Sequence, residues 1–147
     1  EEFSRSLDVL LDEDAISEAS LKAIHVKIEK MQHEDVAYHL WYTYWLIILL
    51  SEQKGIGLVG FKGAPNPSGD AELGYGISTH YRNSGYMTEA VRGLVDWGFR
   101  QSHCRGIIAE TLRNNPASQK VLEKNGFKIV RETAVALIWR LPCPQTL

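Results

Sequence analysis

The segment Arg82-Asn83-Ser84-Gly85-Tyr86-Met87 joins a glycine-punctuated stretch to the start of an amphipathic one, and it carries no acid. Its side chains offer little chemistry of their own. Its backbone offers more, because N–H groups converging at a helix N-terminus, where the macrodipole adds positive potential, bind anions such as phosphate. Just upstream, Gly74 and Gly76 bracket Tyr75 inside an otherwise apolar run. Glycine within a strand marks a kink or leaves room for a ligand lying along it, and both readings fit here. These residues point first to a phosphate-bearing ligand.

Bulk properties narrow the field. The chain has 147 residues, enough for one domain, with 44% hydrophobic residues, 23% charged residues and a net charge of −2. No lysine- or arginine-rich run is present, which argues against a nucleic-acid partner. His25, His33, His39, His80 and His103 show no metal-ligand spacing, so no metal is expected. Cys104 and Cys143 form neither a metal nor a redox motif, which suits a reducing, cytoplasmic setting. The apolar run Leu40–Leu50 is only eleven residues long, too short for a bilayer, and reads as a buried strand. No membrane partner is expected. The chain begins at Glu1 with no visible signal peptide and no methionine, so it reads as a processed or truncated product.

The elements that must position the loop can be read in order. Phe3–Leu11 has the spacing of a short helix, and Ser17 is an N-cap for a longer one reaching about His33, with Leu21, Ile24, Ile28 and Met31 as its buried stripe. Tyr42–Leu50 and Ile56–Lys62 read as a hairpin, and Ala71–Ser78 adds a third strand to give an antiparallel meander. A helix over Gly85–Ser102 buries Met87, Val91, Leu94 and Val95, and Arg105–Leu112 follows as a strand. Strand, helix, strand makes a βαβ unit with a parallel pair. Asn115 caps a helix opening on Pro116 and ending at Asn125-Gly126, and a hairpin of Phe127–Val130 with Thr133–Leu141 closes the chain. The expected fold class is α/β, or mixed α+β. It has a central mixed sheet, splayed parallel strands and about four flanking helices.

Two segments together resemble a known family. Arg82-Asn83-Ser84-Gly85-Tyr86-Met87 with Thr88-Glu89-Ala90 is similar to the Arg/Gln-x-x-Gly-x-Gly/Ala loop of the GNAT N-acetyltransferases. Asn115-Pro116-Ala117-Ser118 with Val121-Leu122-Glu123-Lys124-Asn125-Gly126-Phe127 is similar to their downstream helix and terminator. The resemblance runs from Leu40 to Leu141 and is nearest to the RimJ/RimL-like branch. Three departures stand out. Met87 replaces a small residue, Leu122 stands where many relatives have tyrosine, and no strand is visible before the first helix.

The resemblance implies acetyl-CoA as cosubstrate and a primary amine, a protein N-terminus or a small amine, as acceptor. Backbone groups of Asn83, Ser84, Gly85, Tyr86, Met87 and Thr88 would cradle the diphosphate, with Arg82 at its edge. Gly76, Ile77 and Ser78 would line the gap taken by the pantetheine arm, and a strand N–H near Ile77 would polarise the thioester carbonyl. Asn115 is both a cap and a cofactor contact. Glu72, beside the gap, is the candidate base, alternatively a solvent-facing strand residue. Ser118, in the first turn of its helix, is a candidate donor to the leaving sulfur, alternatively a structural helix-start residue. A homodimer is compatible with the sequence, and a CoA-binding module without turnover is the rival reading.

Overall fold

The computed structural model of the chain describes residues 9–144. Seven strands form one sheet, in the order β1 (Leu10–Leu11), β3 (Lys54–Phe61), β4 (Asp70–Ile77), β5 (Gly106–Leu112), β7 (Ala136–Pro142), β6 (Lys128–Glu132), with β2 (Tyr44–Leu49) also paired to β3. Three α-helices accompany it among the described residues: α1 (Glu18–Gln32), α2 (Tyr86–Phe99) and α3 (Pro116–Lys124). Short 3-10 segments span Val36–Tyr42 and Thr79–Tyr81. The β2–β3–β4 meander, the parallel β4–β5 pair joined through α2 and the β6–β7 hairpin all match the sequence expectations.

Three expectations need correction. The proposed Phe3–Leu11 helix falls largely outside the described residues, and its last two residues are strand. Leu10 N–H donates to the Gln53 carbonyl and Asp12 N–H to the Gly55 carbonyl, so this backbone is satisfied by β3 rather than by a helical turn. A strand therefore does precede the first helix, and the sheet has not lost that element. Two residues are too few for a period-2 pattern to show in sequence.

The second correction concerns α1. Its bounds and its Ser17 cap are as expected, with Ser17 Oγ accepting the Ser20 N–H. Yet Leu21 and Ile28 are each 47% exposed, and the buried residue is Lys27, at 5%. Lys27 Nζ donates to the Phe61 carbonyl and lies 3.4 Å from the Tyr44 ring centroid. An acceptor and an aromatic face satisfy the ammonium, and the helix is rotated accordingly. The third concerns Leu40–Leu50. Its strand begins only at Tyr44, after the 3-10 segment, and Leu40, Trp45, Ile48 and Leu50 are all exposed.

The main core fills the sheet face under α2. Phe61, Val91, Ile107 and Leu122 are fully buried there, and Trp41, Phe61 and Trp97 form an aromatic cluster with centroids 4.8–5.9 Å apart. Gly98 lets α2 approach closely, since a Cβ there would stand 2.9 Å from Phe61 Cζ. Tyr44 is paired with Gly60, one residue out of phase with Val59 and Phe61, so Lys27 and α1 lie over the opposite face. The sheet thus separates two environments, and the strands between them part at one place.

Candidate active site

β4 and β5 are both long enough to pair fully, but their register runs only from Asp70 with Gly106 to Glu72 with Ile108. Beyond that the strands separate. Ser78 N–H donates to the Ile56 carbonyl and Lys62 N–H to the Glu72 carbonyl, so the even-numbered residues of β4 turn their main-chain groups toward β3. Alternation leaves the N–H and C=O groups of Tyr75 and Ile77 facing the parted edge. A sheet edge of this kind can accept an extended amide-bearing chain.

The gap opens into a cleft of about 320 Å³, within the range of small-molecule sites. Arg82 through Thr88 line it at the N-terminus of α2, and Asn115, Ala117, Ser118 and Val121 line it from α3. The loop owes its shape to two left-handed residues, Asn83 (φ +60°) and Gly85 (φ +83°). Gly85 is the N-cap residue of α2 and provides no side-chain cap, so the first-turn N–H groups keep their donors for something else. A Cβ at Gly85 would meet nothing within 4 Å, which is the open space a ligand would fill. Met87 is buried in the core, so the bulky residue turns inward and leaves the loop intact. Asn125 ties the two helices together, its Nδ2 donating to the carbonyls of Thr88 and Val121.

Cations gather at this cleft. Arg82, Lys120 and Lys124 line it and no acidic side chain does. Sequence reading missed the two lysines, although their i, i+4 spacing on a helix beside an anion-binding loop was a usable signal.

All but one of the residues expected at the cofactor site line this cleft. The exception is Ser78, which is fully buried with its hydroxyl bonded to Asp12 and Asp14 and its N–H held by Ile56. It is unable to contact a ligand. Asp14 also accepts from Thr79 N–H and Oγ1, at 3.1 and 2.7 Å, and these hydroxyl and amide donors bring its carboxyl down to about 2. The segment after β1 thus braces the turn that leads into the anion loop. Tyr81, which lines the cleft, is held by the Glu52 carboxylate at 2.5 Å. His80 is exposed and off the cleft, and Cys104 is buried, with burial pushing its thiol up to about 11.

On the wall opposite the loop, the Asn115 side chain caps α3 by accepting the Ser118 N–H at 3.2 Å. Ser118 itself faces Tyr75, whose phenol oxygen lies 2.8 Å from Ser118 Oγ. Leu122 is fully buried, so no helix-borne phenol enters the cleft from that position. Tyr75 brings one from β4 instead, a residue that sequence reading treated as a spacer between glycines.

Glu72 lies on the other face of the sheet. Its carboxylate pairs with Lys62 Nζ at 3.1 Å, and both side chains are partly exposed. By alternation Glu110, on β5, shares this face beside the gap. It is exposed and has no ion pair among the described residues. Two carboxylates therefore flank the parted strands on the side away from the anion loop. Burial, helped by nearby Lys62 and Lys30, lowers Lys27 on this same side to about 7. Among the described residues no group of three or more His, Cys, Asp or Glu is placed to hold a metal ion. No helix among them is long and apolar enough to cross a membrane.

Known proteins share this fold. Residues 11–128 match the acetyltransferase (GNAT) domain model. YjdG of Bacillus subtilis, named an uncharacterized N-acetyltransferase, is 32% identical over 95 residues, covering 65% of this chain and 56% of its own. The chain spans about half the length of the curated relatives it matches. Among solved structures, the ribosomal-protein-S5-alanine acetyltransferase of Vibrio fischeri superposes with a TM-score of 0.67 at 22% identity, covering 84% of this chain and 70% of that one. PseH, an N-acetyltransferase of Campylobacter jejuni solved in complex with acetyl coenzyme A, gives a TM-score of 0.59 at 18% identity, with 80% and 77% covered. At these identities the structural likeness is one of fold. With the family model matched over most of its length, the chain belongs to the GNAT acetyltransferase family.

Proposed function

We propose that the protein transfers an acetyl group from acetyl-CoA to a primary amine, directly and without a covalent enzyme intermediate. One observation carries this reading: strands β4 and β5 part beside an acid-free loop whose helix-terminal N–H groups lack a side-chain cap. The loop 82–88 would take the diphosphate, with Arg82, Lys120 and Lys124 adding charge. Main-chain groups of Tyr75 and Ile77 would pair with the amides of the pantetheine arm, and the Ile77 N–H would polarise the thioester carbonyl.

The amine then enters from the opposite face. Its nitrogen bonds to the carbonyl carbon, the C–S bond breaks and the electron pair leaves on sulfur. Glu72 takes the surplus amine proton through water, and Ser118 in the first turn of α3 faces the departing thiolate. The acceptor is a protein N-terminus or a small amine. The Vibrio fischeri protein is named for an alanine of ribosomal protein S5, which favours a protein acceptor. The two free cysteines, with Cys104 buried, suit a cytoplasmic setting.

Glu72→Gln is expected to lower turnover about tenfold, because a partly exposed carboxylate that acts through water can be replaced in part by solvent, while CoA affinity stays unchanged. Free-thiol release with an amine panel measures the first and calorimetry the second. An unaltered rate in Glu72→Gln, with a drop in Glu110→Gln, would move the base to Glu110. The Lys62 ion pair and the absence of a phenol at Leu122 favour a second reading, a CoA-binding module without turnover. A large thermal shift with acetyl-CoA and no thiol release with any amine would select it.

A further inference from the structure

Lys62 follows the last residue of β3, and its N–H donates to the Glu72 carbonyl at 2.8 Å. The two side chains therefore stand side by side on the face away from the anion loop, with Lys62 Nζ 3.1 Å from Glu72 Oε2. Beyond Glu72, the next β4 positions on this face are Gly74 and Gly76. A Cβ at Gly74 would stand 3.3 Å from Lys62 Cε, so the lysine stem runs across that glycine. A Cβ at Gly76 would meet nothing within 4 Å. The floor between Lys62 and the main chain of Ile77 is thus bare backbone, and the lysine side chain, 53% exposed, is free to sweep it.

The other lysines are placed differently. Lys120 and Lys124 line the cleft from α3, Lys27 is buried against the Phe61 carbonyl, and Lys54 pairs with Asp12. Among the described residues, Lys62 is the lysine that touches the carboxylate proposed to receive the acceptor's proton. An acceptor amine has to come near the thioester and meet a base. Lys62 is a primary amine already held at that base.

We infer that Lys62 is itself an acceptor: with no other amine bound, it takes the acetyl group in cis and becomes Nε-acetyl-lysine. The inference rests on the reading that acetyl-CoA binds in the parted strands. Glu72 accepts one proton from the Lys62 ammonium across their direct contact and passes it to water. Rotation about the flexible four-carbon stem carries the neutral amine over Gly74 and Gly76 toward the thioester carbonyl at the Ile77 N–H. The C–N bond forms, the C–S bond breaks and the electron pair leaves on sulfur. The nitrogen's second proton goes to solvent, and the thiolate takes one proton back. The product is a stable amide, not an intermediate in transfer to another amine. It carries no charge, so Glu72 loses its ion pair and is left for an incoming acceptor.

The test is incubation of the purified chain with acetyl-CoA and no added amine, read by intact mass and peptide mapping. A single acetyl group on Lys62 is expected, with a matching burst of free thiol. Spontaneous acetylation is measured in the same sample on the exposed Lys22 and Lys128. Lys62 should react at least about a hundredfold faster than either, the advantage of holding both reactants in one site. Its rate constant should not depend on protein concentration, should fall with excess CoA, and should drop about tenfold in Glu72→Gln. Lys62→Arg keeps a cation beside Glu72 and should abolish the burst. If calorimetry shows acetyl-CoA bound while Lys62 reacts no faster than Lys22 and Lys128, or if its rate constant rises with protein concentration, the inference is overturned and the cosubstrate reading stands. If acetyl-CoA does not bind, the functional reading fails and this inference with it.

Discussion

Replacing Gly85 with valine is expected to weaken CoA binding at least about a hundredfold, roughly 2.7 kcal/mol. Two effects combine. Gly85 sits at φ +83°, a region that costs an L-residue roughly 1–2 kcal/mol and is worse for a β-branched one, so the loop must relax or carry the strain. The Cβ would also project into space with no atom within 4 Å, the space in front of the α2 N–H groups. A relaxed loop loses the convergence of donors, and an unrelaxed one has a branched side chain where an anion must come. Calorimetric titration with CoA measures the affinity, and urea unfolding separates it from stability. Wild-type affinity in Gly85→Val would show that the loop is not where the ligand's phosphates sit.

The second large effect concerns Lys27. Its folded-state value of about 7 lies below the ordinary 10.5, chiefly because burial disfavours the ammonium. The sign follows from proton counts. Between about 7 and 10.5 the unfolded chain binds the proton and the folded one does not, so stability rises with pH across that window, by at most ~1.4 kcal/mol per pH unit. Below about 7 both forms are protonated and the dependence vanishes. Lys27→Met should abolish the slope. At pH 9 it should also cost about 1–3 kcal/mol, since the Phe61 carbonyl loses its buried donor. At pH 6 the loss should be much smaller, because the same substitution removes a buried charge. Urea unfolding at the two pH values tests this, and parallel wild-type and variant profiles would contradict it.

What could be read from sequence was what local backbone chemistry dictates. The 82–88 loop, the Asn115 cap with Pro116 behind it and the Gly126 terminator (φ +86°) follow rules written within a few residues, and each stands where those rules put it. The Met87 side chain pointed inward because its position on the helix face demanded it. The misses at Ser78, Tyr75 and Lys27 involve partners remote in sequence. Ser78 reads as a gap-lining residue until Asp12 and Asp14, more than sixty positions earlier, claim its hydroxyl. Tyr75 gains a role only through Ser118, 43 positions later. Lys27 interrupts an apolar stripe and would be read as surface, yet an acceptor on β3 and the Tyr44 ring draw it inside. Glu72 is the last residue of β4 paired with β5, and its Lys62 partner and the second carboxylate at Glu110 emerge only once strand register is fixed.

If the cleft between β4 and α3 holds the cosubstrate, its diphosphate sits on the α2 N-terminus. Titrating the purified chain with CoA while recording backbone amide NMR shifts tests it most directly. The largest changes should fall on the amides of Asn83 to Thr88 and of Tyr75 and Ile77, with β6 and α1 nearly silent. Saturating CoA that leaves the 83–88 amides unmoved, or that perturbs only the opposite face around Lys27 and Lys62, would contradict it.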